Sequence, residues 1–344
     1  MVKLSRPSIK RADMDAVLSR MLSDELHVGT TNKEFVKSVA EVARMRGGFA
    51  LSEYTRTVEV AFRALGLPEG GRVLLSPLAP PVYHLVLSIL GLTPHYVDVS
   101  GLAPILDATG LAKTVQEQDI VALLIDGNLG FIPDYESLEE LPVPVVEDVT
   151  SSIGSYVGER SAGSVGRLVI LGLGEGGVIT AGGGGAVLCR NSHDKAALAR
   201  LVETYPPDIL LSDMNAALGL TQVRQWERFL SRRREIAALL LRALQRSRHT
   251  VPAQPGDGEN VWISFPVLVD GSIGEVQQYA KKHGIATAAA FDLAALENRL
   301  TEAGAEGQFS EARKFAMRTV RFPLYPMLPN KDIEQLKRVL STLP

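Results

Sequence analysis

Cysteine is almost absent: Cys189 is the only one, so no internal disulfide can form, and it reads as a small buried apolar residue rather than a redox or metal group. Long hydrophobic runs are missing as well. No stretch approaches the roughly 20 apolar residues that cross a bilayer, and the opening MVKLSRPSIKRADMD lacks the apolar centre of a signal peptide. Both absences lead to the expectation of a cytoplasmic protein with no membrane partner. Charge of one sign is not in excess either. The net charge is −3 with Lys and Arg scattered, which leaves no electrostatic footprint for nucleic acid. No G-K-[ST] occurs, which excludes a P-loop, and no cluster suggests a metal site. With 46% hydrophobic and 22% charged residues, there is no compositional case for disorder.

What is present is enough chain for two unequal domains, since 344 residues exceed what one small core holds at roughly 150 residues per domain. From about 48 to 190 the β-branched runs FALS, RVLLS, PHYVDV, DIVALLI, VPVVED, RLVILGL and GAVLC alternate with helical patterns. That alternation predicts an α/β domain whose mixed, mostly parallel sheet is covered on both faces. Ligands of such sheets bind at the carboxyl ends of strands, and Asp148 ends one of them. A long spine helix is predicted from Ser212, its cap, with Met214, Ala217, Leu218, Val223, Phe229 and Leu230 on a helical period. After the break VPAQPGDGEN, the strand WISFPVLV opens a smaller α+β unit. Its next helix carries the capping-box pair Ser272 and Glu275 and ends at Lys281, Lys282 and Gly284. The expected division is 1–244 and 245–344.

The run Gly172-Leu173-Gly174-Glu175-Gly176-Gly177 matches G-x-G-x-x-G, and Asp194 lies near the distance of a ribose-binding carboxylate. A dinucleotide fingerprint must open a helix whose N-terminus receives the pyrophosphate. The continuation VITAGGGGAVL instead predicts a turn and a return strand, with glycines where positive φ is needed. An anion-binding nest of successive N–H groups remains an alternative for the same glycines.

Five blocks then fall into a familiar order: LSRPSI with LHVGTTNKEF and its Gly29; VEVAFRALGL; VEDVTSSIGSYVGERSAGSVG; SDMNAALGLTQVRQWERFLSRRREIA; and RFPLYPMLPNKDIEQLKRVL. In order and spacing the chain resembles the DegT/StrS family of sugar aminotransferases. The resemblance implies a three-layer pyridoxal-phosphate-transferase large domain of fold type I with a small C-terminal domain. It implies too a homodimer acting on keto-sugars linked to nucleotides, usually in cell-surface polysaccharide or antibiotic sugar synthesis.

Carried over position by position, the resemblance implies that the chemistry is missing. The Schiff-base lysine falls on Gly177 and the phosphate-contacting serine on Gly172, and no lysine occurs between Lys113 and Lys195. Lys195, in the polar pattern HDKAALAR, reads as solvated surface. The family's S-G-T phosphate loop becomes Glu53-Tyr54-Thr55, the ring-stacking aromatic Pro80, the glutamine after the aspartate Ser151, and an asparagine and arginine become Asp208 and Leu210. Asp148, the residue that would accept the pyridinium N–H, survives with Thr55 as a remnant of the cofactor site. Each has a plainer reading, Asp148 as a strand-end group accepting backbone N–H bonds and Thr55 as a first-turn helix cap. The expectation is a pseudoenzyme with no covalent cofactor, binding a nucleotide sugar, a metabolite or an active paralogue. The alternative is a sugar-nucleotide-modifying enzyme using Glu53, Tyr54, Asp148 and Glu175 as acid/base groups, with Ser151, Gly172 and Gly177 beside them.

Overall fold

The computed structural model of the chain describes residues 1–23 and 26–344. Its centre is a seven-stranded sheet in the order Gly47–Leu51, Gly185–Cys189, Leu168–Gly172, Val145–Asp148, Ile120–Asp126, Arg72–Leu75, Thr93–Tyr96. All neighbouring pairs among the last five strands are parallel, while Gly185–Cys189 runs antiparallel to both its neighbours. These strands are the seven β-branched runs of the sequence. Because successive side chains point to opposite faces, each strand feeds two cores. Leu123, Ile125, Val169 and Leu171 face one cluster with the helix Thr30–Val42, whereas Leu124, Val146, Leu168 and Ile170 face another with the helices Tyr54–Ala64 and Pro81–Ile89. Helices on both faces explain why the strands are apolar throughout instead of alternating. No helix among the described residues is long and apolar enough to cross a membrane.

The same alternation places the acidic residues. Asp148 lies two residues beyond Val146 and Asp126 two beyond Leu124, so both carboxyl-end aspartates lie toward the helices Tyr54–Ala64 and Pro81–Ile89. They are paired across the ladder, Asp126 with Asp148. Glu147 points the other way and is buried, accepting from the Tyr135 hydroxyl and from the N–H groups of Gly163 (2.7 Å) and Gly166 (3.0 Å).

A second sheet, Phe265–Leu268, Thr319–Phe322 and Ala288–Ala289, is antiparallel. It packs with the helix Asn330–Leu340 and with Ile236, Ala237 and Leu240 of the helix Trp226–Leu244. The predicted spine is two helices, Asp213–Arg224 and Trp226–Leu244, meeting at Gln225, where φ is −101° and ψ −1°. The apolar period runs through the junction, which is why the sequence reads as one helix. Ser212 caps the first as expected, accepting from the Asn215 N–H at 3.3 Å. Ser272 stands at the start of Ile273–Lys282 but its side chain makes no cap bond, so the expected capping box does not form.

Asp213, in the first turn of the spine, fixes the N-terminal segment. Its carboxylate accepts from the N–H groups of Gly29 (2.8 Å), Thr31 (3.1 Å) and Asn32 (2.8 Å), three donors at a helix start that the helix itself cannot satisfy. A Cβ on Gly29 would stand 2.7 Å from Asp213 Oδ2, so glycine is needed for that approach.

Candidate functional site

The carboxyl ends of the parallel strands converge on Asp148, which is 4% exposed. Tyr54, the first residue of the helix that follows the edge strand, donates its hydroxyl to Asp148 Oδ2 at 2.6 Å. Tyr83, fully buried in the helix Pro81–Ile89, donates to the same oxygen at 2.8 Å, and the two phenol oxygens lie 3.3 Å apart. Asp148 Oδ1 accepts the Thr150 N–H at 2.8 Å, and Thr150 Oγ1 in turn accepts the Gly172 N–H at 2.7 Å. Both oxygens of the carboxylate are therefore occupied by the protein's own donors. Burial, reinforced by the Asp148 charge, pushes both phenols well above their ordinary range, so they stay protonated donors.

Tyr54 fits because of what faces it. A Cβ on Gly172 would stand 3.2 Å from Tyr54 Cε2 and 2.9 Å from Thr150 Cγ2, so the bare backbone at 172 makes room for the ring. Replacing Tyr54 with Phe removes one charge-assisted donor while leaving Tyr83 and Thr150 in place, and should cost about 1.5 kcal/mol in urea unfolding. A variant as stable as the parent would mean that this bond contributes nothing.

Asp126 completes the group. Burial, with the nearby Asp148 charge second, raises its carboxyl to about 7. The Asn128 side-chain amide donates to its Oδ2, and Oδ1 is buried without a hydrogen-bond partner among the described residues. Two carboxyls, one held by three donors and the other shifted toward neutrality, are an arrangement able to accept and release a proton.

The remaining predicted positions are scattered. Glu53 and Glu175 are exposed, Ser151 is half-buried, and none of them hydrogen-bonds to Asp148. Glu53 is the cap position of the helix Tyr54–Ala64, and no side chain closes that helix start, so Thr55 does not cap it. Pro80 immediately precedes the helix Pro81–Ile89, Asp208 lies in the short turn Pro207–Ile209, and Leu210 bridges the edge strand at Leu51. Gly177 lies in an irregular turn, its N–H bonded to Gly174 O at 3.1 Å. A Cβ there would stand 2.8 Å from Ile179 O and 3.2 Å from Gly174 O, so the backbone leaves no space for a side chain in this conformation.

The glycine run is a turn and a return strand: no helix follows Gly172, and Leu173 N–H bonds Gly184 O at 3.0 Å. Gly182 and Gly184 both have φ of +81°, which glycine adopts without strain. Asp194 pairs with Arg167 at 2.7 Å and sits in the first turn of the helix Ser192–Val202, a structural role. Cys189 is buried, and burial pushes its thiol up to about 11. Lys195 lies beside Gly47, at the amino end of the edge strand. Gly47 pairs through Cys189 with Leu168, four residues before Gly172, so Lys195 sits at a level about 13 Å along the strands from the site.

Sequence reasoning missed Tyr83 and Asp126. The signal for Asp126 was present, an acid ending the apolar run IVALLID just as Asp148 ends VPVVED. Tyr83 was legible only as an aromatic one helical turn past Pro80.

Residues 7–341 match the model of the DegT/DnrJ/EryC1/StrS aminotransferase family. The aminotransferase TlmJ from Streptoalloteichus hindustanus superposes with a TM-score of 0.88 at 21% identity, covering 99% of this chain and 98% of that one. The Spr1654 protein of Streptococcus pneumoniae in its PLP form gives 0.85 at 20% identity, covering 98% and 97%. A mutant of the GDP-4-keto-6-deoxymannose-3-dehydratase ColD, with GDP-perosamine bound, gives 0.87 at 16%, covering 99% and 100%.

Proposed function

The chain belongs to the DegT/DnrJ/EryC1/StrS aminotransferase family, and from that premise we propose that it is a pseudoenzyme: it keeps the fold, tethers no pyridoxal phosphate, and binds a nucleotide sugar, a related metabolite or a partner protein. The family's cofactor supplies an electron sink that a lysine must hold and serve as proton carrier. The residues here do not fit it. Asp148 Oδ2, which would accept the pyridinium N–H, already accepts two phenol hydroxyls, and the observation that carries the reading is this Tyr54–Tyr83 closure over Asp148. Gly177 offers no amine, and the contacts a Cβ would make there mean that a lysine could not be restored without moving backbone. Glu53, beside Tyr54, would repel a phosphate dianion. A nucleotide sugar is the ligand class of choice because the similar ColD holds GDP-perosamine.

The test is direct. Protein mixed with pyridoxal phosphate is expected to develop no internal-aldimine absorbance and, after borohydride, no peptide carrying a reduced cofactor adduct; a single adducted lysine in the cleft overturns the proposal. A thermal-shift screen with nucleotide sugars then seeks the ligand, since one that binds only the folded state raises its stability.

A second reading is favoured by Asp126, a carboxyl raised to about 7 and paired across the ladder with Asp148, which suits acid/base chemistry near neutrality. Turnover of any member of a nucleotide-sugar panel without added cofactor would establish it, and loss of that turnover in Asp126→Asn would assign the group.

A further inference from the structure

A cavity of about 560 Å3 opens between the helix Thr30–Val42 and the outer side of the edge strand Gly47–Leu51. That volume lies in the range of small-molecule sites. The Gly185–Cys189 and Leu168–Gly172 strands separate this edge strand from the Asp148 strand, a distance of about 14 Å across the sheet. The cavity is therefore distinct from the strand-end site.

Its floor is apolar, built from Val28, Val36, Ala40, Met45, Phe49 and Leu210. Its rim is basic. Lys33, Lys37, Arg46 and Lys195 line it, all exposed, against one carboxylate, Glu41. None of the four cations is in an ion pair among the described residues. Four like charges gathered around a partly enclosed apolar surface repel one another, and the potential they set up attracts an anion. The local sequence makes the arrangement possible. Asn32, Lys33, Val36, Lys37, Ala40 and Glu41 recur at helical spacing, so one stripe about 14 Å long faces the groove. Gly47 and Gly48 leave the opposite wall as bare backbone, and Lys195 lies across it: a Cβ on Gly47 would stand 3.2 Å from Lys195 Nζ.

We propose that this groove binds a small amphipathic carboxylate, its head among Lys33, Lys37, Arg46 and Lys195 and its apolar body on the Val36–Met45–Phe49 floor. The apolar floor selects for a hydrocarbon body and the basic rim for an anionic head. A flat apolar interface would not need the second feature.

Decanoate, titrated calorimetrically into the 344-residue chain at low salt, is the probe. Saturable binding is expected, weakening as salt screens the rim, on the order of tenfold weaker in the double variant Lys37→Glu/Lys195→Glu, and stronger than that of decanol. Both substituted side chains are exposed, so the variant should unfold at the parent's temperature, which a melting curve checks. No saturable heat, an unchanged affinity in the double variant, or equal binding of decanol would each overturn the proposal. So would a drop in the light-scattering mass of the double variant, which would make the groove a contact between copies of this chain.

Discussion

Replacing Asp213 with alanine should lower the unfolding free energy by about 4 kcal/mol, one of the largest single-site effects in the molecule. The carboxylate is 1% exposed and receives N–H groups from Gly29, Thr31 and Asn32. Alanine would strand all three at a buried helix start, and each unsatisfied donor costs about 1–3 kcal/mol, less where water can follow. Asp213→Asn keeps one acceptor oxygen and should lose about half as much. Urea titrations of the three proteins decide it. A loss below about 1 kcal/mol in the alanine variant would mean that the N-terminal segment rearranges to satisfy its own backbone.

The second large effect is on pH dependence. Asp126 has a folded value of about 7 against an ordinary 3.8, because burial and the Asp148 charge disfavour its ionised form. A carboxyl raised in the fold contributes stability that is fully present below its unfolded value and is lost as pH rises through the folded one. The parent should therefore weaken between about pH 4 and 7 by an amount on the order of 3 kcal/mol, given 1.4 kcal/mol per unit. Asp126→Asn carries no proton to lose and keeps an acceptor for Asn128. It should be more stable than the parent at pH 8 and nearly equal at pH 4. Parallel stability curves for the two proteins would show that Asp126 is already ionised in the fold.

The sheet was legible because each of its strands is a short apolar run bounded by turn residues, and the two-sided cover follows from their uniform burial. The spine was half legible. Its apolar face continues past Gln225, whereas the break depends on backbone angles that no side-chain pattern encodes. The unformed capping box at Ser272 has a similar origin, since the right residues at the right spacing still require the hydroxyl to turn toward the backbone. At the candidate site, the glycines at 172 and 177 could be read from position alone. The Tyr54–Tyr83–Asp148 contact could not, because it joins residues up to 94 positions apart through the arrangement of two helices on the sheet. The resemblance set Tyr54 in the family's phosphate loop; its partner is the Asp148 carboxylate.

The edge strand Gly47–Leu51 finds its ladder partner only at Gly185–Cys189, and the helix before it is held by Asp213. At roughly 5–20 residues per second of translation, the edge strand is made about ten to thirty seconds before residue 213. During that interval the N–H groups of Gly29, Thr31 and Asn32 lack the carboxylate that accepts from them in the finished fold. The sheet can therefore close only once the Gly185–Cys189 strand has been synthesised, long after the edge strand that it pairs with.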